Sequence, residues 1–255
     1  MSAFFDSLKG KMVLVTGSSR GIGRAIALGF AKNGANVVLH GTKPSESMNE
    51  ALSLISAFGA NYGAVYGDLA DEKVQNAIIG QAVDILGGID VLVLNASIQI
   101  RKPYLDITSD DVLVQVKTNM LSTVKLIQHA VPIMENGGYG RIIIIGSVQQ
   151  DKPHTEMLIY SAIKSANLNI VKSLAIQLAD KNITVNNVAV GTIYTDRNSK
   201  VLENKEYKAA VINDIPMKRI GNPEDCVAGV LLLASQEGGY ITGENLHIDG
   251  GKFCK

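Results

Sequence analysis

Thr16-Gly17-Ser18-Ser19-Arg20-Gly21-Ile22-Gly23 is the stretch on which the reading of this chain turns. It follows a short apolar run at residues 12–16 and leads into Arg24-Ala25-Ile26-Ala27, which opens a stretch of helical spacing. Glycines at a strand-to-helix turn permit a tight bend and let a pyrophosphate approach the backbone N–H groups. The helix N-terminus then faces that anion with its partial positive charge. Glycines also gather in loops for purely steric reasons. The position of this cluster, between the first strand and the first helix, is what favours a dinucleotide site. Its spacing is Gly-x-x-x-Gly-x-Gly, a variant of the more common Gly-x-Gly-x-x-Gly fingerprint.

Outward from this turn, β-rich apolar runs recur at residues 12–16, 37–40, 64–66, 91–95, 141–146, 185–190 and 246–248. Between them lie helical patterns: Met48, Leu52 and Ile55 mark one, and Val74, Ile78 and Ile85 another. Ser109-Asp110-Asp111 is read as the cap of a third, which carries Val112 and Val116 onward towards Pro132. Pro223-Glu224-Asp225 opens a late helix, with proline and carboxylates in the first turn. Strands apolar on nearly every residue, such as Val91-Leu92-Val93-Leu94, belong in a sheet covered on both faces. Alternation with helices makes that sheet parallel. The fold expected is α/β: one doubly wound Rossmann-type domain over residues 1–255, with a parallel seven-stranded sheet and helices on both faces. A polar stretch at 191–217, with one weakly amphipathic helix, interrupts the rhythm and reads as a substrate lid or a solvated excursion.

Composition narrows the function. The chain has 255 residues with 24 basic and 24 acidic side chains, so its formal charge is zero. That argues against a nucleic-acid partner, whose binding rests on basic residues. No apolar run approaches the ~18 residues of a membrane span. Met1-Ser2-Ala3-Phe4-Phe5-Asp6 lacks the basic and apolar regions of a signal peptide. Cys226 and Cys254 are too few and too separated for a thiol metal site or a disulfide framework, so no metal is expected. These features point to a cytoplasmic, globular enzyme acting on a small molecule.

Tyr160-Ser161-Ala162-Ile163-Lys164 lies in a helical pattern over residues 157–178, where side chains four apart share a face. Tyrosine has a reference pKa near 10 and is a poor acid or base near neutrality. A cation ~4 Å away at an effective dielectric of ~20 supplies about 4 kcal/mol, enough to tune it. Ser147 ends the strand 141–146, at the sheet edge where open α/β folds bind ligands. Asn119 falls inside a predicted helix, where asparagine is a poor former. The second strand ends His40-Gly41-Thr42-Lys43, with no carboxylate to accept ribose hydroxyls. Arg20, Thr42 and Lys43 could instead meet a 2′-phosphate, so NADP(H) is favoured over NAD(H). Alternatively Arg20 and Lys43 are ordinary surface charges.

Together, the turn 16–23, Asp68-Leu69, Asn95-Ala96, Asn119, Ser147, Tyr160 and Lys164 resemble the short-chain dehydrogenase/reductase family in order and approximate spacing. Arg219-Ile220-Gly221-Asn222-Pro223-Glu224-Asp225, Ile241-Thr242-Gly243 and Asp249-Gly250-Gly251 also look like family segments. The resemblance spans essentially the whole chain. It implies interconversion of a carbonyl and a secondary alcohol, with Tyr160 moving the proton, Ser147 bonding the substrate oxygen and Lys164 lowering the tyrosine pKa. By the same resemblance Asn119 orders a water, and Gly17, Ser19, Arg20, Gly21, Ile22, Gly23, Thr42, Asp68, Leu69, Asn95, Tyr160, Lys164 and Ile193 hold the cofactor. It also implies a homotetramer or a homodimer. Two positions depart from the pattern: Ser97 stands where Asn-Ala-Gly is usual, and Val190 where Pro-Gly is usual.

Gln99, Arg101, Gln149, Gln150, His154 and Tyr194 are the expected substrate contacts, a polar set for an acyl-chain pocket. Ile98-Gln99-Ile100-Arg101-Lys102-Pro103 is similar to the corresponding loop of gluconate 5-dehydrogenase-type enzymes. A sugar, sugar acid or polyol is therefore expected as substrate, with Arg101 or His154 available for a carboxylate. The alternatives are a 3-oxoacyl-[acyl-carrier-protein] reductase and a non-catalytic NADP-binding sensor or scaffold.

Overall fold

The computed structural model describes residues 5–255; residues 1–4, part of the segment read for a signal peptide, lie outside them. The seven predicted runs are all strands, with ends displaced by one or two residues. They are β1 (Met12–Val15), β2 (Asn36–Gly41), β3 (Tyr62–Tyr66), β4 (Val91–Leu94), β5 (Gly140–Ser147), β6 (Ile183–Val190) and β7 (Asn245–Ile248). They form one sheet in the order β3-β2-β1-β4-β5-β6-β7, every pair parallel. This is the doubly wound α/β architecture expected.

The period of two along each strand divides the core. Val13, Val15, Val91, Val93, Ile143 and Ile145 point to one face, under α1 (Gly21–Lys32), α2 (Glu46–Ser56) and α9 (Val227–Ala234). Leu14, Leu92, Leu94, Ile142 and Ile144 point to the other. That face is covered by α3 (Glu72–Leu86), α5 (Ser122–Gly137) and α6 (Leu158–Leu178). The chain leaves β1 towards β2 on one side and places β4 on the other. A crevice therefore opens at the carboxyl ends of these two strands.

Several local expectations are corrected. Thr108, not Ser109, caps α4 (Ser109–Val116): its hydroxyl accepts the Asp111 N–H, and the Asp111 carboxylate accepts the Thr108 N–H. This reciprocal pair satisfies two helix-end donors at once, which a cap at Ser109 would not. The helix does not run evenly towards Pro132. Lys117–Leu121 forms a π-helical turn, after which α5 continues through Pro132 to Gly137. The stretch 191–217 holds two helices, α7 (Asp196–Leu202) and α8 (Lys205–Asp214), in place of one. It is pinned back to the body where the Tyr194 N–H meets the Gly221 carbonyl and the Met217 N–H meets the Gly250 carbonyl. Among the described residues, no helix is long and apolar enough to cross a membrane.

Candidate active site

A cleft of about 660 Å³ runs along the carboxyl ends of β1, β4, β5 and β6. At one end lies the glycine turn. Gly17 and Gly21 have φ of +63° and +58°, the left-handed region that favours glycine. A Cβ on Gly17 would sit 2.8 Å from the Ala96 Cα, and one on Gly23 would sit 2.4 Å from the Gly17 carbonyl oxygen. Hydrogen bonds hold this close approach. The Asn95 and Ala96 N–H groups donate to Thr16 Oγ1 at 3.0 and 3.1 Å, and Asn95 Nδ2 donates to the Thr16 and Gly17 carbonyls at 3.0 and 2.9 Å. No side chain caps α1 and its first turn carries no acid, while Ser19, Arg20, Gly21 and Ile22 line the cleft. Uncapped first-turn N–H groups beside a glycine cradle fit a dinucleotide pyrophosphate.

His40, Gly41, Thr42, Asp68 and Leu69 form the wall beyond the turn. Lys43 is not part of the cleft lining, and Arg20 is exposed and bridges Asp196 at 3.4 Å. In the sequence His40 is simply the last residue of an apolar strand. It is buried, its Nδ1 accepts the Gly17 N–H at 3.2 Å, and its Nε2 meets the Gly67 carbonyl at 3.1 Å. An acceptor Nδ1 and a donor Nε2 define the neutral ring, so the conformation of Gly17 rests on an unprotonated histidine.

At the other end stand Tyr160 and Lys164, both buried on one face of α6, with Ser147 at the end of β5. The Lys164 ammonium donates to the Ile145 carbonyl at 2.6 Å and lies 5.5 Å from the Tyr160 ring centre. Burial pushes the Tyr160 phenol above its ordinary pKa; Arg197 and the hydroxyls of Ser147 and Ser97 oppose that rise. Burial, with Arg197 adding to it, brings Lys164 down to about 7. The tyrosine shift thus runs upward with Arg197 as a cation opposing it, and burial disfavours the charge of Lys164 itself.

Asn119 sits on the π-helical turn, a distortion often found near functional sites. Its side chain accepts the Ile98 N–H and donates to the Ile98 carbonyl, both at 2.8 Å. The amide thus holds the loop after β4, and the cleft lining includes Thr118 rather than Asn119. Gln99, Arg101, Gln149 and His154 line the cleft as expected, but Tyr194 and Gln150 do not. Tyr194 is half-exposed beside Lys208, and Gln150 is buried against Asn187. Arg101 is paired with Glu156 at 3.0 Å and touches His154 at 3.3 Å, so its charge is already matched. Ser97 and Arg197 are cleft residues that the sequence reading did not assign. The departure at position 97 was visible, but nothing in the polar stretch 195–200 distinguished Arg197 from a solvated charge.

Comparison with known proteins places this arrangement. Residues 17–252 match a family model described as enoyl-(acyl carrier protein) reductase. The chain is 39% identical over 250 residues to glucose 1-dehydrogenase of Gluconobacter oxydans, covering 96% of this chain and 93% of that protein. It is 36% identical over 246 residues to a 3-oxoacyl-[acyl-carrier-protein] reductase of Aquifex aeolicus, covering 96% and 98%. A crystal structure of 3-oxoacyl (acyl-carrier-protein) reductase from Agrobacterium tumefaciens with NADP bound superposes with a TM-score of 0.92. It shares 37% identity and covers 96% of this chain and 95% of that one. The chain belongs to the short-chain dehydrogenase/reductase family of oxidoreductases, which act on CH–OH or carbonyl groups.

The His40 ring generates a pH dependence. Burial holds its pKa below the ordinary 6.5. Below that pH the unfolded chain binds a proton that the folded ring refuses until lower pH. Stability is therefore lost as pH falls from 6.5 towards the folded-state value, by up to about 1.4 kcal/mol per pH unit. Denaturant unfolding between about pH 8 and about pH 5.5 is expected to show a steeper acid loss in wild type than in His40→Gln. Equal slopes would remove His40 from this account.

Proposed function

We propose that this member of the short-chain dehydrogenase/reductase family is an NADP(H)-preferring oxidoreductase that interconverts a carbonyl and a secondary alcohol on a sugar, sugar acid or polyol. The observation that carries this reading is the single cleft that joins the glycine turn to Ser147, Tyr160 and Lys164. A bound nicotinamide supplies or accepts the hydride at the substrate carbon. The first-turn N–H groups of α1 take the pyrophosphate, Asp68 and Leu69 flank the adenine, and Ile193 and Lys164 serve the nicotinamide end. In reduction, Tyr160 gives its phenolic proton to the oxygen that gains electrons, and the Ser147 hydroxyl donates a hydrogen bond to that oxygen. Oxidation runs the same proton back. Asn119 acts by fixing the loop that carries Gln99 and Arg101.

The preference for NADP(H) is supported by the absence of a carboxylate at the end of β2 and by Arg20 and Thr42 on the cleft wall. NADP in the Agrobacterium relative agrees with it. The sugar class is supported by the polar wall of Gln99, Arg101, Gln149 and His154 and by the likeness to a glucose dehydrogenase. The likeness to 3-oxoacyl reductases favours a second reading, an acyl thioester substrate, against which that polar wall counts. Residues of α7 and α8, among them Val201, Leu202, Tyr207 and Val211, cover one side of the cleft, and we assign 191–217 as a lid. Leu113 and Val114 on α4 with Leu158 and Ile176 on α6 are exposed apolar residues suited to pairing subunits into a homotetramer or homodimer.

Tyr160→Phe is expected to lower carbonyl reduction by about 10²–10⁴-fold with little change in NADPH binding, the usual worth of a positioned acid. An unchanged rate would contradict the mechanism. A panel of keto-sugar acids, aldoses, ketoses and acetoacetyl thioesters tests the substrate class; turnover confined to the thioesters would reject the sugar reading. Arg20→Ala is expected to weaken NADPH roughly tenfold and NADH far less, the scale of one charged hydrogen bond. Equal effects on both cofactors would contradict the assigned phosphate contact.

A further inference from the structure

Arg197 differs from the other cations of the cleft. Arg20 pairs with Asp196 at 3.4 Å, Arg101 with Glu156 at 3.0 Å and Lys252 with Asp214 at 3.2 Å. Lys164 is held by the Ile145 carbonyl and Lys152 by the Lys252 carbonyl. Arg197 enters from the first turn of α7 and has no carboxylate partner among the described residues. Its guanidinium rests on one residue at the end of β4: Nη1 donates to Ser97 Oγ at 3.2 Å and Nη2 to the Ser97 carbonyl at 2.6 Å. An arginine has five N–H donors, so this seat leaves three for another acceptor. Arg197 is exposed and lines the cleft.

The seat also fixes where the guanidinium stands. Ser97, which holds Arg197 through its hydroxyl and its carbonyl, also opposes the rise in the Tyr160 pKa. One residue therefore neighbours both the cation and the group that moves the proton. A glycine at position 97 would offer no such hydroxyl. The acids that line the cleft lie elsewhere or are matched: Asp68 accepts the Ala70 N–H, Asp196 bridges Arg20, and Asp214 bridges Lys252 and Lys255. Arg197 thus brings a positive charge without a carboxylate partner among the described residues to the reacting end.

We propose that Arg197 is the specificity-determining residue for an acidic substrate, binding a carboxylate of a sugar acid through the donors that Ser97 leaves free. This rests on the sugar reading above and narrows it to aldonate-type substrates. Arg101, matched by Glu156, is not the carboxylate site. A planar guanidinium holds a carboxylate through two parallel N–H···O bonds, which fixes the orientation of the substrate as well as its charge. The same donors could take a cofactor phosphate, and the experiment separates the two.

Steady-state kinetics with NADPH would compare a keto-aldonate with the neutral ketose of equal chain length, in wild type, Arg197→Gln and Arg197→Lys. NADPH affinity would be measured by fluorescence titration. The ratio of kcat/KM for acid over neutral substrate is expected to exceed one in wild type. In Arg197→Gln it is expected to fall by roughly 30-fold or more, chiefly through KM, as when one partner of a hydrogen-bonded charge pair is removed. Arg197→Lys should recover part of that ratio, while NADPH affinity changes less than about threefold in both variants. An unchanged ratio would overturn the proposal. A loss of NADPH affinity that lowers both substrates equally would assign Arg197 to a cofactor phosphate and also overturn it. Wild-type turnover of neutral sugars alone would defeat this inference and leave the sugar reading standing; turnover of acetoacetyl thioesters alone would defeat both.

Discussion

A side chain at Gly17 would meet the Ala96 backbone, and one at Gly23 would meet the Gly17 carbonyl. These two strands approach so closely because Thr16 and Asn95 tie their ends together through four hydrogen bonds. The consequence reaches beyond the turn. With β1 and β4 joined at their carboxyl ends, the start of α1 and the loop after β4 open onto one crevice. β5 and β6 then deliver Ser147 and the Gly191 turn to the same edge. His40 adds a third tie by accepting the Gly17 N–H, so the cradle depends on the charge state of one buried ring as well as on glycine.

The reacting end is governed by burial. A phenol and an ammonium taken out of water both move towards their neutral forms, which keeps the proton on Tyr160 and disfavours the charge of Lys164. The rise at Tyr160 is opposed by the Ser147 and Ser97 hydroxyls and the Arg197 guanidinium, while the Ile145 carbonyl accepts the Lys164 ammonium. Catalysis by such a site rests on preorganised dipoles and charges, because they need not reorient when charge develops on the substrate oxygen. Arg197 belongs to a helix outside the sheet framework, so the covering segment contributes electrostatics as well as cover.

Much of this was legible in the sequence because it follows from strong local rules. The apolar runs of β1, β4, β5 and β6 can satisfy their side chains only between two helical layers, so a parallel sheet covered on both faces follows. Ser147, Tyr160 and Lys164 converge because a strand end and a helix face meet at one edge. What escaped the reading depends on contacts between distant segments. His40 is ordinary within an apolar strand and becomes special only through Gly17 and Gly67. Arg197 and Ser97, a hundred positions apart, have no pattern linking them until the fold brings them together. The π-helical turn at Asn119 was visible only as a poor helix former. The cap at Thr108 was recoverable, since Asp111 lies three residues on, but the neighbouring Ser109 is an equally good cap by type.

The central claim is that the glycine turn and the Tyr160 group serve one bound dinucleotide in one cleft. A crystal structure of the protein with NADPH tests it most directly. The account predicts the pyrophosphate on the first-turn N–H groups of α1, with Gly17, Gly21 and Gly23 unmoved, and the nicotinamide beside Ile193 and Tyr160. A dinucleotide bound with its nicotinamide away from Tyr160, or a turn that must rebuild to admit the pyrophosphate, would contradict it.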